Sequence, residues 1–243
     1  MVRTVLYAVY FGLVLLLSQV FMLLPNYILR LLGMKRASRA FMRISARVMA
    51  RTVIAGLPAK FSVEGLEHIP RDTPRLCIVS NHQSLFDIPI VVAYVPILAG
   101  FIAKAELKKV PFLNFWLFAM NSIMLDRKSP HSAIKAINDG VERIKNGQPI
   151  CIFPEGTRSR SQRMGSFKPG SLKLALRSKA VILPVTIRNS YQLFEGPGRI
   201  SPARIHVTVH PPVSTAELDS ASQKTLAERL QTVIGGPLAA GNG

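Results

Sequence analysis

Leu76-Cys77-Ile78-Val79-Ser80-Asn81-His82-Gln83-Ser84-Leu85-Phe86-Asp87 reads as a buried strand that breaks into a polar loop and opens toward a helix. Four consecutive apolar residues closed by Ser and Asn suit a strand covered on both faces. Working outward, similar short runs recur at Phe61–Glu64, Gly100–Ala103, Ser122–Leu125, Ile150–Phe153, Val181–Ile187 and Arg204–Val209. Between them Ile134, Ile137, Val141 and Ile144 follow a 3-4-3 spacing, which predicts an amphipathic helix ending near Asn146-Gly147. Leu172–Arg177 and Thr215–Val233 are further helix candidates. Strands alternating with helices predict an α/β fold, with a mixed, largely parallel sheet flanked by helices. Ile88–Ala103 and Val110–Leu125 are apolar, but each contains proline and strand-like pieces, and charged Lys104–Lys109 separates them. They read as core rather than membrane spans.

The composition narrows the function classes. The chain has 243 residues, 49% apolar, with 31 Lys+Arg against 13 Asp+Glu, and a net charge of +18. That length is ample for one sizeable core. Cys77 and Cys151, both in apolar strand-like runs, make neither a disulfide framework nor a zinc set. No metal-ligand cluster and no cofactor motif is legible. A nucleic-acid partner is disfavoured, because aromatic residues do not interleave with the basic ones as a stacking platform requires. A basic chain this apolar suits an anionic membrane surface instead.

The charge falls in two acid-free blocks. Met1–Val63 holds nine Lys/Arg, and Gly156–Phe194 holds eight. The first block opens with the apolar stretch Thr4–Leu24, long enough to cross a bilayer core and stopped by Pro25. No small-x-small cleavage site follows it, which argues against a signal peptide. Arg39, Arg43, Arg47 and Arg51 then recur every four residues, with Phe41, Ile44 and Val48 on the other side. Such a helix fits the interface, apolar face in the acyl boundary and arginines among anionic headgroups. If Thr4–Leu24 spans, the arginines place the remainder on the cytoplasmic side. The expected organisation is residues 1–57 as a membrane-associated helical pair, 58–234 as the α/β unit, and 235–243 as a frayed tail.

Two segments at strand ends carry chemistry. In Asn81–Asp87, His82 precedes the Asp87 carboxylate by five residues, a spacing that permits a base and its orienting partner. Asp87 also suits a helix N-terminus, and Ser84-x-x-Asp87 a capping box. In Phe153–Ser159, Arg158 offers a planar fork for phosphate oxygens, and Gly156 lets backbone N–H groups approach an anion. Glu155 is the lone acid there, placed to orient Arg158 or to hold the loop.

Together, Asn81–Asp87 (NHxxxxD), Phe153–Ser159 (FPEGTRS), Lys104-Ala105-Glu106-Leu107 through Pro111 leading to Ile123-Met124-Leu125-Asp126-Arg127, and Val181–Val185 resemble the glycerolipid acyltransferase family. The likeness is strongest to the 1-acyl-sn-glycerol-3-phosphate acyltransferases, with Asn121 standing where that family often has Gly. The resemblance implies transfer of a fatty acyl group from acyl-CoA or acyl-carrier protein to the free hydroxyl of lysophosphatidic acid, without metal or cofactor. It makes His82 the base and Asp87 its support. Glu155, Gly156, Thr157 and Arg158 would bind the glycerol phosphate, helped by Lys104 and Arg127. It also implies that the N-terminal helices associate with membrane, and it makes Ile88–Ala103 and Val110–Leu125, where they are not core, the wall of an acyl-binding groove. Since a thioester is already activated, direct attack by the alcohol is the expected route, and neither cysteine sits in a nucleophile setting. The alternatives are an acyltransferase for a lyso-ornithine lipid, glycerol 3-phosphate or lysocardiolipin, and a lipid-binding protein without chemistry.

Overall fold

The computed structural model describes residues 1–71, 73–126 and 128–239. Three helices come first: α1 (Val2–Ser18), α2 (Leu24–Leu31) and α3 (Lys35–Ala55). The strands β1 (Ala59–Glu64) and β2 (Leu76–Ser80) lead to α4 (Asp87–Tyr94). Next come β3 (Gly100–Lys104), α5 (Leu113–Ala119), β4 (Ile123–Leu125), α6 (Pro130–Lys145) and β5 (Ile150–Ile152). The chain closes with α7 (Lys173–Ser178), β6 (Val181–Arg188), β7 (Ala203–Val209), β8 (Val213–Ser214) and α8 (Ser220–Ala239).

The strands form one sheet in the order β1-β7-β6-β2-β5-β3-β4, with β8 also paired to β6. From β6 through β4 neighbouring strands are parallel, and β7 runs antiparallel to β6. This is the mixed, largely parallel sheet expected. Alternation along each strand divides the core. Ile78, Cys151, Leu183, Val185 and Ile187 face α1, α3 and α4, whereas Cys77, Val79, Ile150, Ile152 and Ile182 face α6, α7 and α8. Both cysteines are fully buried and unpaired. Pro184 is tolerated inside β6 because it falls where the neighbouring strand changes from β8 to β7, and its carbonyl accepts from the His210 N–H at 2.9 Å.

Two expectations need correction. Pro25 does not stop the first helix. A π-helical turn at Gln19–Leu23 precedes it, Pro25 falls in the first turn of α2, and the helix runs on to Leu31. In α3 Met42, Ala46, Met49, Ala50 and Val53 face the core, whereas Ile44 and Val48 are exposed, as an apolar face turned to the acyl boundary requires. Arg47 and Arg51 are not both free for lipid: each Nε donates to the Ala93 carbonyl at the end of α4. Residues 1–57 form two helical arms, Val2–Leu31 and Lys35–Ala55, whose buried faces share a core with the sheet.

The tail is also longer in structure than its Gly/Ala content predicts. Helix α8 continues to Ala239, with Leu238 buried. The Ile234 carbonyl accepts from Thr186 Oγ1, and that of Leu238 from Gln162 Nε2. These tertiary bonds outweigh the low helix propensity of Gly235-Gly236.

Candidate active site

The parallel strands β2, β5, β3 and β4 end on one edge of the sheet, so the segments that follow them meet there. This is where open parallel sheets place ligands. Asn81 fixes the first loop. Its side chain is fully buried, donates to the Ile187 carbonyl and accepts from the Ile187 N–H, both at 2.8 Å. That pair of bonds staples the end of β2 to β6.

Asp87 opens α4 with no solvent exposure. One oxygen, Oδ2, accepts from His82 Nδ1 at 2.8 Å and from the backbone N–H groups of Gln83 at 2.6 Å and Ser84 at 2.7 Å. The other, Oδ1, accepts from Ser190 Oγ at 2.5 Å. The helix-capping and base-orienting readings of Asp87 are thus the same geometry. The Ser84 hydroxyl does not complete the capping box; it donates to Glu195 instead. With Nδ1 committed to Asp87, His82 leaves Nε2 without a hydrogen bond among the described residues. Its ring is 13% exposed and stacks on Phe153 at 4.1 Å between centroids.

Glu155 does not orient Arg158 and is not placed to hold a ligand. It is 4% exposed, and its oxygens accept from the His82 N–H at 2.6 Å and the Gly165 N–H at 2.7 Å. Burial pushes its carboxyl above the ordinary range, against those two donors, which pull it down. Its role is to brace the His82 loop, which Ser159 N–H also holds by donating to the His82 carbonyl. Gly156 turns the chain at φ +71°, and a Cβ there would lie 3.0 Å from Lys168 Nζ. That ammonium is therefore part of the turn. Thr157 is exposed, with no side-chain hydrogen bond among the described residues.

Arg158 Nη1 pairs with Glu195 Oε1 at 2.8 Å and is one-third exposed. Lys104 lies at the end of β3 on the same sheet edge, but its ammonium pairs with Glu106 at 3.0 Å rather than with the His82 loop. Hydrogen bonding from Lys104 lowers the Glu106 carboxyl. Arg127 lies outside the described residues. Among those described, no cluster of His, Cys, Asp and Glu fits a metal ion.

The sequence reading missed Ser190, Glu195 and the stacking of Phe153. One signal was available: Glu195 is the first acid after the basic block Gly156–Phe194, and a lone carboxylate there invites a partner.

The sequence profile of the acyltransferase family matches residues 60–188, which contain both loops just described. The chain belongs to the acyltransferase family. The 1-acyl-sn-glycerol-3-phosphate acyltransferase of Borreliella burgdorferi is 31% identical to it over 199 residues, 80% of this chain and 77% of that one. The Arabidopsis thaliana chloroplastic protein of the same activity is 31% identical over 167 residues, but this acyltransferase spans only 45% of its length. The crystal structure of the 1-acyl-sn-glycerophosphate (LPA) acyltransferase PlsC from Thermotoga maritima superposes with a TM-score of 0.84 at 29% identity, covering 98% of this chain and 95% of that one.

One consequence can be tested in the turn itself. Gly156→Ala is expected to cost about 1–2 kcal/mol, because an L-residue is strained at this left-handed φ. Thermal unfolding should show Tm lower by roughly 2–8 °C. An unchanged Tm would show that the turn relaxes without cost.

Proposed function

We propose that this acyltransferase moves a fatty acyl group from acyl-CoA or acyl-carrier protein to the sn-2 hydroxyl of lysophosphatidic acid, giving phosphatidic acid. The observation that carries the reading is the His82–Asp87 pair, with Nδ1 held by a buried carboxylate and Nε2 left for substrate. His82 Nε2 takes the proton of the acceptor hydroxyl as its oxygen bonds to the thioester carbonyl carbon. The tetrahedral adduct then expels the thiolate, the C–S bond breaks, and the imidazolium returns the proton to sulfur. Asp87 stabilises the imidazolium between these steps. Arg158, beside the base loop, suits the acceptor's phosphate. The test is acyl transfer by detergent-solubilised protein to a panel of lyso-lipids, with products identified by mass spectrometry. Exclusive product from a phosphate-free acceptor would sink the assignment.

The same reading places the protein at a membrane. The continuous helix Val2–Leu31 is long and apolar enough to cross a bilayer. Yet it is docked on the body along its length. Thr4 Oγ1 accepts from the Ile200 N–H, Tyr7 donates to the Val53 carbonyl, Ser18 Oγ accepts from Trp116 Nε1, and Asn26 Oδ1 accepts from Ser38. From Thr4 to Asn26 that is about 33 Å of helix at 1.5 Å per residue. Val5, Leu6, Val9, Leu13, Leu16, Val20 and Leu24 lie exposed on the other side. A helix tied on one face to α3 and the body, with the other face apolar, suits lying within one leaflet. Anionic lipids suit the exposed Arg39 and Arg43. In membrane vesicles carrying the protein, an N-terminal tag should be digested by protease together with the body. A tag protected while the body is cut would show a spanning helix.

A further inference from the structure

We infer that Glu195 is a positioning residue that locks Arg158 to the loop carrying the base and tempers its hold on an anionic acceptor. The inference rests on the acyl-transfer reading above. Glu195 lies beyond the residues matched by the family profile, 60–188, and its side chain is 4% exposed.

Its carboxylate accepts three hydrogen bonds from two separate loops. Oε1 takes the Leu85 N–H at 2.7 Å and Arg158 Nη1 at 2.8 Å, and Oε2 takes Ser84 Oγ at 2.7 Å. Ser84 Oγ in turn accepts from the Phe86 N–H at 3.2 Å. Ser84 and Leu85 lie between His82 and Asp87, so this one side chain sets the distance from the guanidinium to the base. The segment that supplies it also supplies Ser190, whose hydroxyl donates to Asp87 Oδ1. Thus Ser190–Glu195, following β6, grips the base loop at two points.

The charge has a second consequence. A buried carboxylate needs its cationic partner, and Arg158 is the only one it has among the described residues. The guanidinium therefore meets an acceptor phosphate with its field partly spent on Glu195. Interactions that strengthen ground-state binding equally do not speed the chemical step. A held, partly neutralised arginine trades acceptor affinity for placement.

The test is Glu195→Gln in the full-length protein, assayed for acyl transfer to lysophosphatidic acid beside wild type and His82→Ala, per folded molecule. Glutamine keeps the size and accepts from Leu85, and the Ser84 hydroxyl turns to receive its amide. What is lost is the charge that holds Arg158 Nη1 and the acceptor for the Ser84 proton, so both loops loosen. We expect kcat to fall roughly 10- to 100-fold, the scale of a misplacement of about 1 Å. Acceptor KM should stay the same or fall, and donor KM should not move. Should glutamine unfold the site, Glu195→Asp keeps the charge but is one methylene short of bridging both loops. Its expected signature is reduced kcat with wild-type acceptor KM. An active wild type, an inactive His82→Ala and a Glu195 variant with unchanged kcat would overturn this inference and leave the acyl-transfer reading standing. A variant whose acceptor KM rises with kcat intact would also overturn it. A wild type that leaves lysophosphatidic acid untouched would overturn both.

Discussion

His82→Ala is expected to reduce acyl transfer by about 10²- to 10⁴-fold, the usual contribution of a positioned general base. The fold should survive. Without the imidazole, Asp87 still receives the Gln83 and Ser84 N–H groups and the Ser190 hydroxyl, so no buried carboxylate is orphaned. The ring's other contact is the face of Phe153 at the sheet edge. Turnover at saturating donor and acceptor, set against Tm, is the measurement, and wild-type turnover in the variant would remove His82 from the chemistry. Asp87→Asn sharpens the test. The carboxamide oxygen must stay where Oδ2 is, because two backbone N–H groups need an acceptor, so the amide nitrogen faces Ser190. His82 then keeps its orientation, and what disappears is the negative charge that stabilises the imidazolium. A large fall in kcat with little change in Tm is expected. A fall in Tm with full turnover per folded molecule would return Asp87 to helix capping alone.

Arg158→Lys should lower kcat/KM for lysophosphatidic acid by roughly ten- to a hundredfold, corresponding to loss of a charge-assisted hydrogen bond of about 1.5–3 kcal/mol. Lysine keeps a cation for the buried Glu195, so the protein should fold. It lacks the planar fork that holds one face against Glu195 while offering another to a phosphate. The loss should appear with the acceptor varied at fixed donor. A change confined to donor KM would move Arg158 to the CoA or carrier-protein side, and unchanged kinetics would make it a brace for Glu195 only.

Relations within a turn or a strand were legible in the sequence. The strand Leu76–Ser80 needs only its own run of apolar residues, and it lies where that run predicts. The helix around Ile134–Ile144 shows its periodicity at Val141 and Ile144, which are buried, but Ile134 is 60% exposed and Ala136 and Gly140 complete the buried face instead. The start of α4 was legible from Asp87, but α5 was hidden, since its exposed and buried faces are both apolar: Phe115 and Phe118 are exposed where a polar stripe would mark a helix. Pro25 misled for a related reason. A proline's effect depends on the turn before it, and the π-helical turn at Gln19–Leu23 accommodates it.

The site divides along the same line. His82 and Asp87 are five residues apart in one loop, so their pairing is a local matter that sequence spacing determines. The contacts that hold them are not local. Glu155 reaches His82 across 73 positions, Ser190 reaches Asp87 across 103, and Glu195 reaches Arg158 across 37 and Ser84 across 111. Each depends on β5 and β6 flanking β2, so that three strand ends open at one edge. The chain's own residue order therefore determined the fold class and the pairing of His82 with Asp87. Only the packing of the sheet decided that Glu155 braces rather than binds and that Arg158 is held by Glu195, because a buried carboxylate takes its role from whichever donors the tertiary structure brings within about 3 Å.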